Sequence, residues 1–88
     1  MSTINDIIIN EKPVDVILFL THKSGIDHPR IDRLYSLNNW PHIKDNMRLA
    51  DLICSMAADG LIESNNGRFT KGPNWRTPQF MLENKYTL

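Results

Sequence analysis

With 88 residues, 41% of them hydrophobic and 23% charged, the chain can build one modest core. It is too short for a separate catalytic lobe and too apolar to be mainly disordered. Ten basic and ten acidic side chains cancel, which excludes a global attraction to phosphate or to an anionic membrane. The imbalance is local: the first third is acidic and the middle third neutral, whereas residues 61–88 carry Arg68, Lys71, Arg76 and Lys85 against Glu63 and Glu83.

The opening segment, residues 1–10, reads as an arm or a short strand, because Ile7, Ile8 and Ile9 form a β-branched run. A helical turn packed on the body is the other reading of the same run. It lacks the basic start and cleavage site of a signal peptide, and the apolar run Val16–Leu20 is too short to span a bilayer. The expected location is cytoplasmic.

A first helix is expected from Glu11 or Pro13 to Lys23. Asn10 is a possible cap, and Pro13 is tolerated in the first turn. Val14, Ile17, Leu18 and Thr21 recur at helical spacing, and Gly25 supplies the left-handed stop. Asp27 then caps a second helix with Pro29 in its first turn and Ile31, Leu34 and Tyr35 on its inner stripe. Asn38-Asn39-Trp40-Pro41 breaks it.

The third helix is expected from Pro41 or His42 to Asp59, and Gly60 ends it. Its apolar stripe of Ile43, Met47, Ala50, Ile53, Cys54 and Ala57 is broadened by Leu49, Leu52 and Met56. That pattern makes Cys54 a buried, inert thiol, and as the single cysteine it cannot form an internal disulfide. Beyond Gly60 the period changes. Leu61-Ile62-Glu63-Ser64 reads as a strand, and Asn65-Asn66-Gly67 carries the Asn-Gly signal of a tight turn. Arg68-Phe69-Thr70-Lys71 is the candidate returning strand, and Gln79-Phe80-Met81-Leu82-Glu83 a further one. The alternative is one long loop between Ile62 and Phe80.

Three helices, a glycine and a hairpin follow one another here in the order of the winged helix-turn-helix. The stretch Met56-Ala57-Ala58-Asp59-Gly60-Leu61-Ile62-Glu63 resembles the junction at which a recognition helix ends at glycine and an apolar pair enters the wing. The likeness covers Pro13 to Leu82 by element order, but only Asp59 to Ile62 by residues. It is a likeness to the superfamily, similar to small bacterial and phage regulators. It implies an α+β winged-helix domain over residues 1–88 that acts as a transcriptional regulator by binding double-stranded DNA.

In such domains the third helix enters the major groove and the wing touches phosphate. Carried over, the resemblance implies His42, Lys44, Asn46 and Arg48 as recognition-helix contacts. It implies Asn66, Arg68, Lys71 and Arg76 as wing contacts, with a homodimer on a two-part site as a further implication. Asp45 and Asp51 oppose that reading, since they would repel phosphate, and a polar helix face is often only the solvated side.

Trp75 sits between Asn74 and Arg76 and is either a loop anchor or an exposed hot spot for a protein partner. A protein-binding winged helix (an adaptor, a phage-encoded inhibitor or an immunity protein) is therefore the alternative function. Catalysis is not expected. His22, His28, His42 and Cys54 lack the spacing of metal ligands, and no phosphate-binding glycine loop or nucleophile elbow is present. No cofactor is implied.

Overall fold

The computed structural model describes residues 4–86. Its elements in chain order are α1 (Ile4–Asn10), α2 (Pro13–Leu20), β1 (Ile26–Asp27), α3 (His28–Leu37), α4 (Asn46–Ala58), β2 (Ile62–Asn65), β3 (Arg68–Lys71) and α5 (Gln79–Leu82). The class is α+β: among the described residues, five helices and one antiparallel sheet in the order β1-β3-β2.

The isoleucine run near the N-terminus is helical rather than a strand or an arm. Ile7 and Ile8 are both fully buried while Ile9 is 47% exposed, a two-in, one-out pattern that a strand, with its period of two, cannot produce. Residues 1–3 of that expected segment lie outside the described residues. Pro13 opens α2 at its first position, as expected, but Lys12 precedes it without a side-chain cap and Asn10 ends α1 instead.

The helix α2 stops at Leu20, three residues before Lys23, because Thr21 closes it. Its hydroxyl donates to the carbonyls of Ile17 (2.9 Å) and Leu18 (3.1 Å), so a fully buried polar side chain is satisfied locally. Gly25 then turns the chain at φ +86°, and a Cβ there would meet the Phe69 carbonyl oxygen at 2.6 Å. Only glycine serves here, since the backbone is left-handed and pressed against β3.

That approach lets Ile26 and Asp27 pair with Phe69 and Arg68. The resulting two-residue strand was not legible in the sequence. Asp27 also caps α3 as expected, accepting from the Arg30 backbone N–H at 2.9 Å. The break after α3 is built from left-handed residues, Asn39 (φ 61°), Trp40 (φ 53°) and His42 (φ 64°), and Trp40 stacks on Tyr35 at 6.3 Å.

Helix α4 starts at Asn46, later than the expected Pro41 or His42. Left-handed His42 cannot be helical, and Asp45, extended at φ −166°, caps the helix by accepting from the Arg48 backbone N–H at 3.0 Å. Leu49, Ile53 and Met56 form its buried stripe. Cys54 is exposed and Met47 is 73% exposed, which corrects the wider apolar face expected there. Exposed residues along α4 need no partner merely because they are apolar.

At the far end, the N–H of Gly60 bonds the Ala57 carbonyl (3.1 Å) and that of Leu61 the Met56 carbonyl (3.0 Å). This is the double bond pattern with which helices close at glycine. The chain passes directly into β2. Asn65 pairs with Arg68 across a two-residue turn in which Asn66 (φ 51°) and Gly67 (φ 82°) are both left-handed, as the Asn-Gly signal requires. The tight hairpin is therefore the observed arrangement, and the long loop is not.

The third strand of the sheet comes from Ile26–Asp27, not from the C-terminal segment. Gln79–Leu82 is a short helix with only Phe80 buried. A four-residue apolar run does not distinguish strand from helix by period alone. Here tertiary packing decides, because Phe80 inserts against Phe19 and Tyr86. No helix among the described residues is long and apolar enough to cross a membrane.

Candidate nucleic-acid interface

Two exposed features lie at either end of the α4–β2 segment: the first turns of α4 and the tip of the β2–β3 hairpin. Asp45 sits at the start of α4 with its carboxylate committed to the cap, which limits its repulsion of an approaching anion. Asn46 and Arg48 are exposed in the first turn, and Lys44 is exposed just before it. Neither Lys44 nor Arg48 forms an ion pair or side-chain hydrogen bond among the described residues. One turn further along, Asp51 is exposed on the same helix.

His42 and Lys44 are thus not residues of the helix, as the sequence implied, but of the turn before it. His42 is exposed, and its Nε2 lies 2.6 Å from the Ile9 carbonyl oxygen. A carbonyl can only accept, so Nε2 carries the proton and donates. The imidazole clasps the end of α1.

The wing residues are arranged differently from a row of free cations. Asn66 is exposed at the tip. Arg68 is half-buried, and its guanidinium Nη2 donates to the Gly25 carbonyl at 2.7 Å, locking the hairpin to the turn before β1. Lys71 holds its ammonium 4.2 Å from the centre of the Trp75 ring. Arg76 pairs with Asp15 of α2 at 3.5 Å. Each of the three basic residues assigned to phosphate thus has an intramolecular partner.

Trp75 is half-buried, and its indole N–H donates to the Leu18 carbonyl (3.0 Å) and the Thr21 hydroxyl (3.3 Å). Of the two roles open to it in the sequence, this geometry favours the anchor. The segment after β3 is pinned further by Asn74, whose backbone N–H bonds the Gly60 carbonyl (2.8 Å) and whose side-chain amide bonds the Asp59 carbonyl (2.9 Å).

A second feature has no counterpart in the sequence reading. A cleft of about 460 Å³ opens between the end of α2 and the C-terminal segment, walled by Phe19, Phe80 and Tyr86 with His22, Lys23 and Asn84 beside them. Tyr86 is placed by Glu11, whose Oε2 accepts from the Tyr86 hydroxyl (2.5 Å) and from Lys85 Nζ (2.8 Å). Burial pushes the Glu11 carboxyl up, but the hydrogen bonds from Lys85 and Tyr86 outweigh it and hold it below its usual range. Residues 79–82 are helical rather than the expected strand, and it is from this helix that Phe80 meets Phe19.

No family model, curated protein or solved structure matches this chain.

Proposed function

We propose that this chain is a winged-helix domain that regulates transcription by binding double-stranded DNA, with the first turns of α4 in the major groove. The observation that carries the reading is the order of elements around the sheet. The helices α2, α3 and α4 precede a hairpin whose returning strand pairs with β1, and the start of α4 and the hairpin tip are exposed. A helix of this width fits the major groove, and its N-terminal residues reach base edges.

Lys44 and Arg48 supply phosphate or guanine contacts, and Asn46 is suited to adenine. The wing contributes shape and the Asn66 tip more than charge, because Arg68, Lys71 and Arg76 are engaged within the domain. A dimer on a two-part site would double these few contacts.

The reading is tested by fluorescence anisotropy with a pool of labelled genomic duplexes. Two or three phosphate contacts per domain give a log–log salt slope of about −2 to −3. Arg48→Ala should cost about 1–3 kcal/mol of binding, whereas Arg68→Ala should act mainly by lowering stability. No anisotropy change at low salt with any duplex would overturn the proposal.

A protein partner is the second reading, supported by a specific observation. Met47, 73% exposed, and Cys54 lie two turns apart on the same outer face of α4, and methionine is enriched at protein interfaces. This reading predicts capture of one specific protein, lost on Met47→Gln with the melting temperature unchanged.

A further inference from the structure

The cleft between α2 and the C-terminal segment has the size and lining of a small-molecule site. Its volume of about 460 Å³ falls within the range of roughly 300–1,000 Å³ common to ligand pockets. Three aromatic rings wall it in complementary orientations. Phe19 and Phe80 meet at 5.7 Å with a 54° tilt, and Phe80 meets Tyr86 edge-on at 5.5 Å and 87°. His22 stacks on Phe19 at 5.1 Å. The three rings are in contact with one another, so a flat ring lying in the cleft against this wall would find both face and edge contacts, the two arrangements aromatic pairs prefer.

The polar groups set the charge of the ligand. Lys23 is the one formally charged side chain lining the cleft; it is exposed and has no ion pair or side-chain hydrogen bond among the described residues. The acids of the flanking segments are already engaged: Glu83 accepts from the Gln79 amide at 3.2 Å, Glu11 holds Lys85 and Tyr86, Asp15 pairs with Arg76, and Asp27 accepts from the Arg30 backbone N–H. His22 directs Nδ1 at the Phe19 carbonyl, so Nδ1 donates and a neutral ring keeps Nε2 as an acceptor. Asn84, left-handed at φ 51°, brings an amide to the same rim.

We propose that this cleft binds a small planar aromatic carboxylate, its ring against Phe19, Phe80 and Tyr86 and its carboxylate on Lys23. A ring N–H or hydroxyl can donate to His22. The proposal does not depend on the domain binding DNA.

The test uses the full chain with indoleacetate as the probe, followed by nitrogen–proton correlation spectra and calorimetry. Saturable shifts are expected, centred on the amides of residues 19–23 and 80–86. Tryptophol, which keeps the ring and lacks the charge, should bind at least about tenfold more weakly, the scale of one charge-assisted hydrogen bond. Cyclohexanecarboxylate, which keeps the charge and lacks the flat ring, should also bind at least about tenfold more weakly. Lys23→Ala, at an exposed position, should reproduce the loss seen with tryptophol while leaving the melting temperature in place. Glu11→Gln, which loosens Tyr86 without touching the cleft directly, should weaken indoleacetate less than Lys23→Ala does. The proposal is overturned if indoleacetate gives no saturable shift, if tryptophol binds as tightly as indoleacetate, or if Lys23→Ala leaves affinity unchanged.

Discussion

Trp75 offers the sharpest test of how the C-terminal segment is held. Replacing it with phenylalanine keeps most of the ring but removes the indole N–H that bonds Leu18 and Thr21. The Leu18 carbonyl still accepts from the Thr21 hydroxyl, so no acceptor is orphaned and the expected loss is that of one net hydrogen bond, about 1 kcal/mol. Alanine removes the ring as well. Full truncation of a buried tryptophan costs about 3–5 kcal/mol, and a half-buried one roughly half of that. The Lys71 ammonium over the ring adds about 0.5 kcal/mol.

Alanine should therefore destabilise by about 3 kcal/mol in total. In a domain of this size each kcal/mol moves the midpoint by about 4–8 °C, so the phenylalanine and alanine variants should be separable by melting alone. Far-ultraviolet circular dichroism in urea and on heating is the suitable assay, since it does not depend on the fluorophore being removed. If Trp75→Ala melts with the wild type, Trp75 is not an anchor, and its role as a protein contact returns to the front.

Two further predictions concern titratable groups. The Tyr35 hydroxyl is buried without a hydrogen-bond partner among the described residues, and burial pushes its pKa well above the usual 10.0. Tyr35→Phe should stabilise the domain by about 1 kcal/mol at neutral pH, because an unpaired buried hydroxyl costs more than its removal. The same variant should soften alkaline unfolding, since a raised pKa means stability present below 10 that is lost as pH rises; a lower urea midpoint for Tyr35→Phe would refute this.

The Glu11–Lys85–Tyr86 cluster should make stability fall at both ends of the pH scale. Glu11 is held below its usual 4.5, so its contribution is present above that value and lost as pH falls. Hydrogen bonding to Glu11 raises Lys85 above 10.5, and burial, followed by the separate bond from its own hydroxyl to Glu11, raises Tyr86 above 10.0. Their contributions are present below those values and lost as pH rises. Glu11→Gln should flatten the acid limb of the melting temperature against pH, and an unchanged limb would exclude the cluster as a tie.

Much of the scaffold was legible in the sequence because its signals are local. Asp27 and Pro29 start α3, Gly60 closes α4, and Asn66-Gly67 sets the hairpin, whereas α2 ends at Thr21 and Gly25 turns the chain only afterwards; each of the first three acts through the φ preference or short side chain of a residue within a few positions of its effect. The tertiary structure decided what depends on partners distant in the chain. Ile26 becomes a strand only because β3 lies beside it, and Phe80 becomes helical because Phe19 and Tyr86 receive it. Cys54 turns outward because Leu49, Ile53 and Met56 take the buried stripe.

The same division applies to function. The basic residues of the wing could be read directly, but not that Arg68 would bond Gly25, Lys71 cover Trp75 and Arg76 pair with Asp15. A cation has the same charge whether it faces solvent or a carbonyl forty residues away, and only the folded chain chooses between them. The order of helices and hairpin was therefore written in short-range preferences, whereas the free charge of the surface and the aromatic cleft were set by long-range packing.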